Sequence, residues 1–284
     1  MKKLIYSLVF SLSLALPAAA AEKIENFSHY YRQDCAFISG ATPDVNDWCN
    51  RGNAQGKSPN VVMQGDSYSN SWSTVLAEYA QTKGSGMIYE QYGRGQCPVL
   101  LGISPPLACG DLAQKAYDKV KNTPSIKTVM LASNWIYYFG ETRKWNEDTG
   151  RVYKRAEIEQ ALENTIKAYQ ALGRKVVVVY QAPQVDEPKA CAERRIRIGV
   201  AEDKCSLTKA YALRNENYRA YLDPIIVRTK ASTFDPFLYM CDATTCKTKD
   251  GSKIFFASRD HFSGFGGQYL ARKATPELKR LLSF

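Results

Sequence analysis

Four consecutive valines, Val176 to Val179, lie between Lys175 and Tyr180 and leave no polar side chain for solvent. A strand of this kind is covered on both faces, which is the environment of a parallel strand between two helical layers. The preceding sequence supplies such a layer: from Arg155 to Leu172 the apolar residues Ile158, Leu162, Ile166, Tyr169 and Leu172 recur at spacings of three or four, and Gly173 follows as a helix stop. Three more β-prone runs, Val61 to Met63, Gly86 to Tyr89 and Ile126 to Ala132, come earlier. Helices are expected from about Ser206 to Leu222, ending before Asp223-Pro224, and from Gly264 or Gly267 towards Leu282. Strands that alternate with helices predict a three-layer α/β/α sandwich around a central parallel sheet. Ligands of such sheets gather outside the carboxyl ends of the strands. Ser67, Asn134 and Gln181-Ala182-Pro183 each follow an expected strand and are placed at one crevice.

The N-terminus reads as an export signal. Met1-Lys2-Lys3 is basic, Leu4 to Leu16 is apolar, and Pro17-Ala18-Ala19-Ala20-Ala21 offers small residues for cleavage. Residues 1–21 are therefore expected to be a removed signal peptide, 22–59 an irregular N-terminal extension, and 60–284 the folded domain. The leader implies a bacterial protein of the periplasm or the secreted fraction. The formal charge of +10, to which Lys2 and Lys3 contribute, favours anionic partners, an envelope glycan among them, or is a plain solvated surface. The basic residues are scattered and the chain is exported, so nucleic acid is not an expected partner.

All eight cysteines lie beyond the leader, an even count that suggests disulfides in an exported chain. They fall into sequence-adjacent pairs, and the simplest pairing is Cys35–Cys49, Cys97–Cys109, Cys191–Cys205 and Cys241–Cys246. None has the Cys-x-x-Cys spacing of a zinc site, and the chain has only two histidines, so neither a metal nor another cofactor is expected.

Chemistry concentrates in two short segments. Gly65-Asp66-Ser67 places a serine where a buried strand turns into a helix, and a serine hydroxyl needs a base within hydrogen-bond reach. His261, in Asp260-His261-Phe262-Ser263-Gly264, is that base by elimination, because His29 falls in the irregular extension.

These segments, with Cys97-Pro98, Leu131-Ala132-Ser133-Asn134-Trp135, the Cys241 to Cys246 loop, Phe255-Phe256 and Phe265-Gly266-Gly267, resemble the SGNH (GDSL-type) hydrolase superfamily. The likeness is greatest to the SGNH domains attached to membrane acyltransferases that O-acetylate bacterial surface glycans, and it spans about Asn60 to Leu282. It implies a flavodoxin-like fold. It also implies that Ser67 is the nucleophile, and that the Ser67 N–H, the Asn134 side chain and the N–H of Gly95, or else of Gly93, form an oxyanion hole. The implied activity is that of an exported O-acetyl esterase or O-acetyltransferase acting on an envelope glycan through an acyl-serine. Its partners would be an acyl donor, a glycan, and for transfer a separate membrane protein that supplies acetyl groups.

The chain departs from that pattern at Ser258, where the superfamily places the aspartate that orients the histidine. Ser258, a backbone carbonyl, the adjacent Asp260, or an acid from elsewhere such as Asp235 or Asp242 are the candidate replacements. The same departure keeps a second reading open, a catalytically weak or inactive glycan-binding or assembly protein. Tyr68, Trp72, Trp135, Tyr137, Tyr138 and Phe139 are either sugar-stacking faces beside Ser67 or core.

Overall fold

The computed structural model describes residues 49–50, 57–93, 95, 97–103, 111–139, 143–144, 152–185, 207–251, 253–259 and 261–283. Six strands form the main sheet: β1 (Cys49–Asn50), β2 (Val61–Gly65), β3 (Tyr89–Gly93), β4 (Thr128–Ala132), β5 (Lys175–Val179) and β6 (Ser232–Phe234), in the order β1-β3-β2-β4-β5-β6. β2 to β6 are mutually parallel, and β1 adds an antiparallel edge, with Cys49 opposite Gln91. β1 falls in the span expected to be irregular, most of which, with the leader, lies outside the described residues.

The valine run of β5 behaves as a strand between two layers. Val176 and Val178 join Val62, Val129 and Leu131 on one face, while Val177 and Val179 join Val61, Met63, Met130 and Ala132 on the other. The first face is covered by α2 (Leu112–Asn122), α4 (Arg155–Ala171) and α5 (Arg219–Thr229), the second by α1 (Ser67–Ala80), α6 (Gly264–Lys273) and α7 (Thr275–Leu281). Burial contributes about 1.5–3 kcal/mol for each large apolar side chain, so both faces of every central strand add to stability. The parallel sheet between two helical layers is the α/β/α sandwich expected from the sequence.

Several elements differ from the sequence reading. The second strand begins at Tyr89, where the expected run ends, and continues through Glu90 and Gln91. These polar residues stay in the ladder because each has a partner: Glu90 accepts from Tyr92 Oη at 2.8 Å, and Gln91 Nε2 donates to Ser69 Oγ at 3.2 Å. The fifth parallel strand, β6, is a three-residue element that gives no sequence period. The helix expected over 206–222 is instead a turn at Lys209–Ala212, a 3₁₀ turn at Glu216–Tyr218, and α5, which runs through Pro224. An interior proline costs about 3 kcal/mol, and burial of Leu222 and Ile225 against the sheet outweighs it. The C-terminal helix is interrupted at Ala274, with Pro276 in the first turn of α7.

The Cys241–Cys246 disulfide is formed. Cys97 is also disulfide-bonded. Cys35, Cys109, Cys191 and Cys205 lie outside the described residues. No helix among the described residues is long and apolar enough to cross a membrane.

Candidate active site

The turn from β2 into α1 is built on Gly65. Its φ is +147°, and a Cβ there would lie 1.8 Å from the Ala132 carbonyl oxygen of β4. Only glycine permits this approach. Asp66 then caps α1: its Oδ1 accepts the Tyr68 N–H at 2.9 Å, while Ser69 Oγ donates to the Asp66 carbonyl at 2.8 Å. Ser67 is the first residue of α1 and is half-buried, at a helix end whose unpaired N–H groups favour negative charge.

α1 is rich in serine, a modest helix former, and it folds because its small hydroxyls are satisfied locally. Ser73 Oγ and Thr74 Oγ1 donate to the carbonyls three residues back, Asn70 and Ser71, at 2.5 and 2.8 Å. A surface of small side chains lets α6 pack closely. A Cβ on Gly267 would lie 2.1 Å from Thr74 Oγ1, and one on Gly266 would lie 2.0 Å from the Phe255 carbonyl oxygen. Gly267 therefore docks α6 against the helix that carries Ser67, and Gly266 lets α6 close on the Phe255 backbone of the segment that leads to His261.

This docking delivers His261. Its Nε2 lies 2.9 Å from Ser67 Oγ, and its Nδ1 lies 3.0 Å from Ser258 Oγ. The next residue, Phe262, donates its N–H to Ser71 Oγ at 2.6 Å, one turn beyond Ser67. Ala257 N–H donates to the His261 carbonyl at 2.7 Å, and Ser263 caps α6 by accepting from Gly266 N–H at 3.2 Å. The Tyr68 ring packs on the imidazole with centroids 4.9 Å apart.

Of the candidate partners among the described residues, Ser258 is placed at Nδ1 of the imidazole. Asp235 is bound to Arg219 through both carboxylate oxygens, at 2.7 and 3.2 Å. Asp242 accepts from the Thr244 and Thr245 N–H groups at 2.7 Å each, which holds its carboxyl down at about 2. Asp260 lies outside the described residues.

Asn134 follows β4 and caps the short helix α3 (Trp135–Tyr138), its Oδ1 accepting the Tyr137 N–H at 3.0 Å. Its own N–H donates to Asp66 Oδ2 at 2.9 Å, so the strand end that carries Asn134 is tied to the residue before Ser67. Gly93 pairs in register with Gly65, and Gly95 sits exposed in the turn that follows. The structure thus gathers Ser67, His261, Ser258, Asn134 and the Gly93–Gly95 segment at the carboxyl edge of the sheet.

Asp66 is a residue that sequence reasoning undervalued. Besides Tyr68 and Asn134 N–H, its buried carboxyl accepts from Tyr138 Oη at 2.7 Å. Burial pushes its pKa up to about 6, and the donors from Asn134, Tyr138 and Tyr68, with His261 nearby, limit the rise. An aspartate immediately before the first helical residue is a favoured N-cap, which was the available signal. Trp72, Trp135, Tyr138 and Phe139 are buried in the core and offer no face to a sugar. Tyr68 is 3% exposed and spent on His261, and Tyr137 alone of the six is partly exposed.

A parallel five-stranded sheet between helical layers, with a serine–histidine pair and an asparagine at its carboxyl edge, defines an α/β protein of the SGNH hydrolase type. The sequence profile of the family described as "SGNH domain (fused to AT3 domains)" matches residues 29–276, and the chain belongs to this family. Its fold is similar to that of the periplasmic domain of a lipopolysaccharide acetyltransferase from Salmonella ser. Paratyphi A, with a TM-score of 0.66 at 17% identity over 90% of this chain and 98% of that one. A carbohydrate acetylesterase from Sinorhizobium meliloti also matches, with a TM-score of 0.44 at 13% identity over 78% of this chain and 98% of the other. No curated protein sequence matches the chain significantly.

Proposed function

We propose that the protein is an exported serine enzyme that moves an acyl group, acetyl in the first instance, as an O-acetyl esterase or O-acetyltransferase of a cell-envelope glycan. The observation that carries this reading is the 2.9 Å contact between His261 Nε2 and Ser67 Oγ at the start of α1. In the proposed reaction His261 takes the proton of Ser67 as Oγ attacks the acyl carbonyl. The oxyanion of the tetrahedral intermediate is met by the Ser67 N–H, the Asn134 amide and the Gly95 N–H. His261 then gives its proton to the departing alcohol, leaving an acyl-Ser67. Water or a sugar hydroxyl, deprotonated by His261, attacks this ester and restores the serine. Ser258 Oγ accepts a hydrogen bond from Nδ1–H and fixes the tautomer, the task an aspartate performs in a Ser-His-Asp triad.

The glycan assignment draws support from the basic charge and from the likeness to a structural neighbour, the lipopolysaccharide acetyltransferase domain. The same neighbour and the leader-like N-terminus support a periplasmic site of action. Transfer, as opposed to hydrolysis, requires a donor, which we assign to a separate membrane protein.

The test is hydrolysis of p-nitrophenyl acetate by the purified protein, with fluorophosphonate labelling of Ser67. Ser67→Ala and His261→Ala are expected to lower kcat by roughly 10⁴- to 10⁶-fold. Equal turnover by wild type and Ser67→Ala removes the enzyme reading. Ser258 at the position of the orienting aspartate favours one alternative, an inactive glycan-binding protein of the same fold. Binding of envelope glycan without Ser67 labelling or turnover would establish it.

A further inference from the structure

An asparagine serves an oxyanion only when its N–H end faces the substrate, so something must set which way round the carboxamide lies. The directions of its hydrogen bonds decide this, because backbone N–H groups can only donate. The Tyr137 N–H donates to Asn134 at 3.0 Å, which makes the receiving atom Oδ1. The N–H one residue earlier, of Ile136, donates to Gln181 at 2.6 Å, which makes that atom Oε1 and leaves Nε2 as the other end of Gln181. Gln181 Nε2 donates to Asn134 Oδ1 at 3.3 Å. Two successive backbone donors therefore fix two carboxamides in series, and Asn134 Oδ1 is held from two sides. Asn134 Nδ2 has no protein acceptor among the described residues, as an N–H kept for a ligand should.

Gln181 is itself well fixed. It is 1% exposed, follows β5 at the carboxyl edge of the sheet, and donates its backbone N–H to Tyr218 Oη at 3.1 Å. The indole of Trp135, next to Asn134, donates to the Val179 carbonyl at 2.8 Å, so the segments bearing the two carboxamides are also joined through the core.

We propose that Gln181 is a positioning residue for acyl transfer: it locks the Asn134 carboxamide with its N–H end towards the oxyanion and acts only through Asn134. This rests on the acyl-transfer reading above. Gln181→Glu keeps the shape and the bond from Ile136 N–H but sets a second acceptor against Asn134 Oδ1. The repulsion is relieved only when Asn134 turns over or swings aside and gives up the bond from Tyr137 N–H, and either movement takes its N–H end off the oxyanion. Gln181→Met removes the donor without adding charge.

The experiment measures p-nitrophenyl acetate kinetics for wild type, Gln181→Glu and Gln181→Met, each made also in an Asn134→Ala background, with rates divided by the amplitude of fluorophosphonate labelling. Gln181→Glu should lower kcat about a hundredfold, as loss of an oxyanion donor does, and Gln181→Met about tenfold. KM should move less than about twofold, because the donor acts on charge that develops only in the transition state. In the Asn134→Ala background both substitutions should change kcat by less than about twofold. Equal losses in the two backgrounds would mean that Gln181 only supports the fold, and wild-type kcat in Gln181→Glu would overturn the proposal. Should Gln181→Glu fail to accumulate as folded protein, Gln181→Met decides by the same comparison. An active, labelled wild type with uncoupled Gln181 defeats this inference alone, whereas an unlabelled, inactive wild type defeats the acyl-transfer reading and this one with it.

Discussion

On the sheet side of the site, Asp66 receives hydrogen bonds from Tyr68, Asn134 and Tyr138, and Asn134 is gripped in turn by Tyr137 and Gln181. On the other side, His261 rides on a loop and bonds an exposed Ser258, and its place depends on the Phe262 contact with Ser71 and the fit of Gly267 against Thr74. The sheet side inherits its geometry from strand register, since Gly65 opposes Gly93 and Gln64 opposes Leu131. The histidine side inherits its geometry from one helix packing on another. The difference teaches what each side rests on: the loop side leaves Ser258 open to solvent beside His261, while the buried side carries interlocked donors and acceptors.

Substitutions at three positions test this contrast, the largest effect first. Gly65→Ala should destabilise the protein by about 4 kcal/mol or prevent folding, because the added Cβ meets backbone, not a movable side chain, at 1.8 Å. A urea midpoint near that of wild type would show that the strand ends have more play than this geometry allows. Asp66→Asn should change how stability varies with pH. The folded carboxyl titrates at about 6 against an ordinary 3.8, so the stability it confers is complete below about pH 4 and lost as pH rises through 6. That shift corresponds to about 3 kcal/mol. The stability difference between wild type and Asp66→Asn, followed by denaturant unfolding, should therefore move against wild type over this window, and a difference that is flat with pH would refute a strongly perturbed carboxyl. Ser258 gives the smallest effect: Ser258→Ala should lower kcat about tenfold, or about 1.4 kcal/mol, and Ser258→Asp should raise it. If both leave kcat unchanged, the hydroxyl has no orienting role.

The parts of this molecule legible from the sequence were those with a period or a motif. The valines of β5, the three-to-four repeat of α4 and the Gly173 stop gave the layered sheet directly, and Ser67, His261 and Asn134 were placed by strand ends and family likeness. The second strand was misplaced because Glu90 and Gln91 look like loop residues until their partners are known. α5 was hidden by Pro224, a local signal that tertiary burial overrides. Gln181 and Asp66 were undervalued for a different reason: their roles are fixed by the direction of hydrogen bonds to residues 47 and 68 positions away. Nor did the aromatic residues near Ser67 reveal which way they face, since a ring suits a core and a sugar equally well.

Ser67 and His261, the proposed nucleophile and base, stand 194 residues apart in sequence, and His261 is seated together with α6 and α7. A chain made from its N-terminus exposes Ser67 long before His261 exists. Until then Ser67 is an ordinary alcohol, and on the proposed reading it acquires reactivity only when the His261 segment seats against α1. On the acyl-transfer reading, chemical competence is thus a late event in folding, gated by the seating of the His261 segment, and a chain without that segment carries Ser67 without the means to use it.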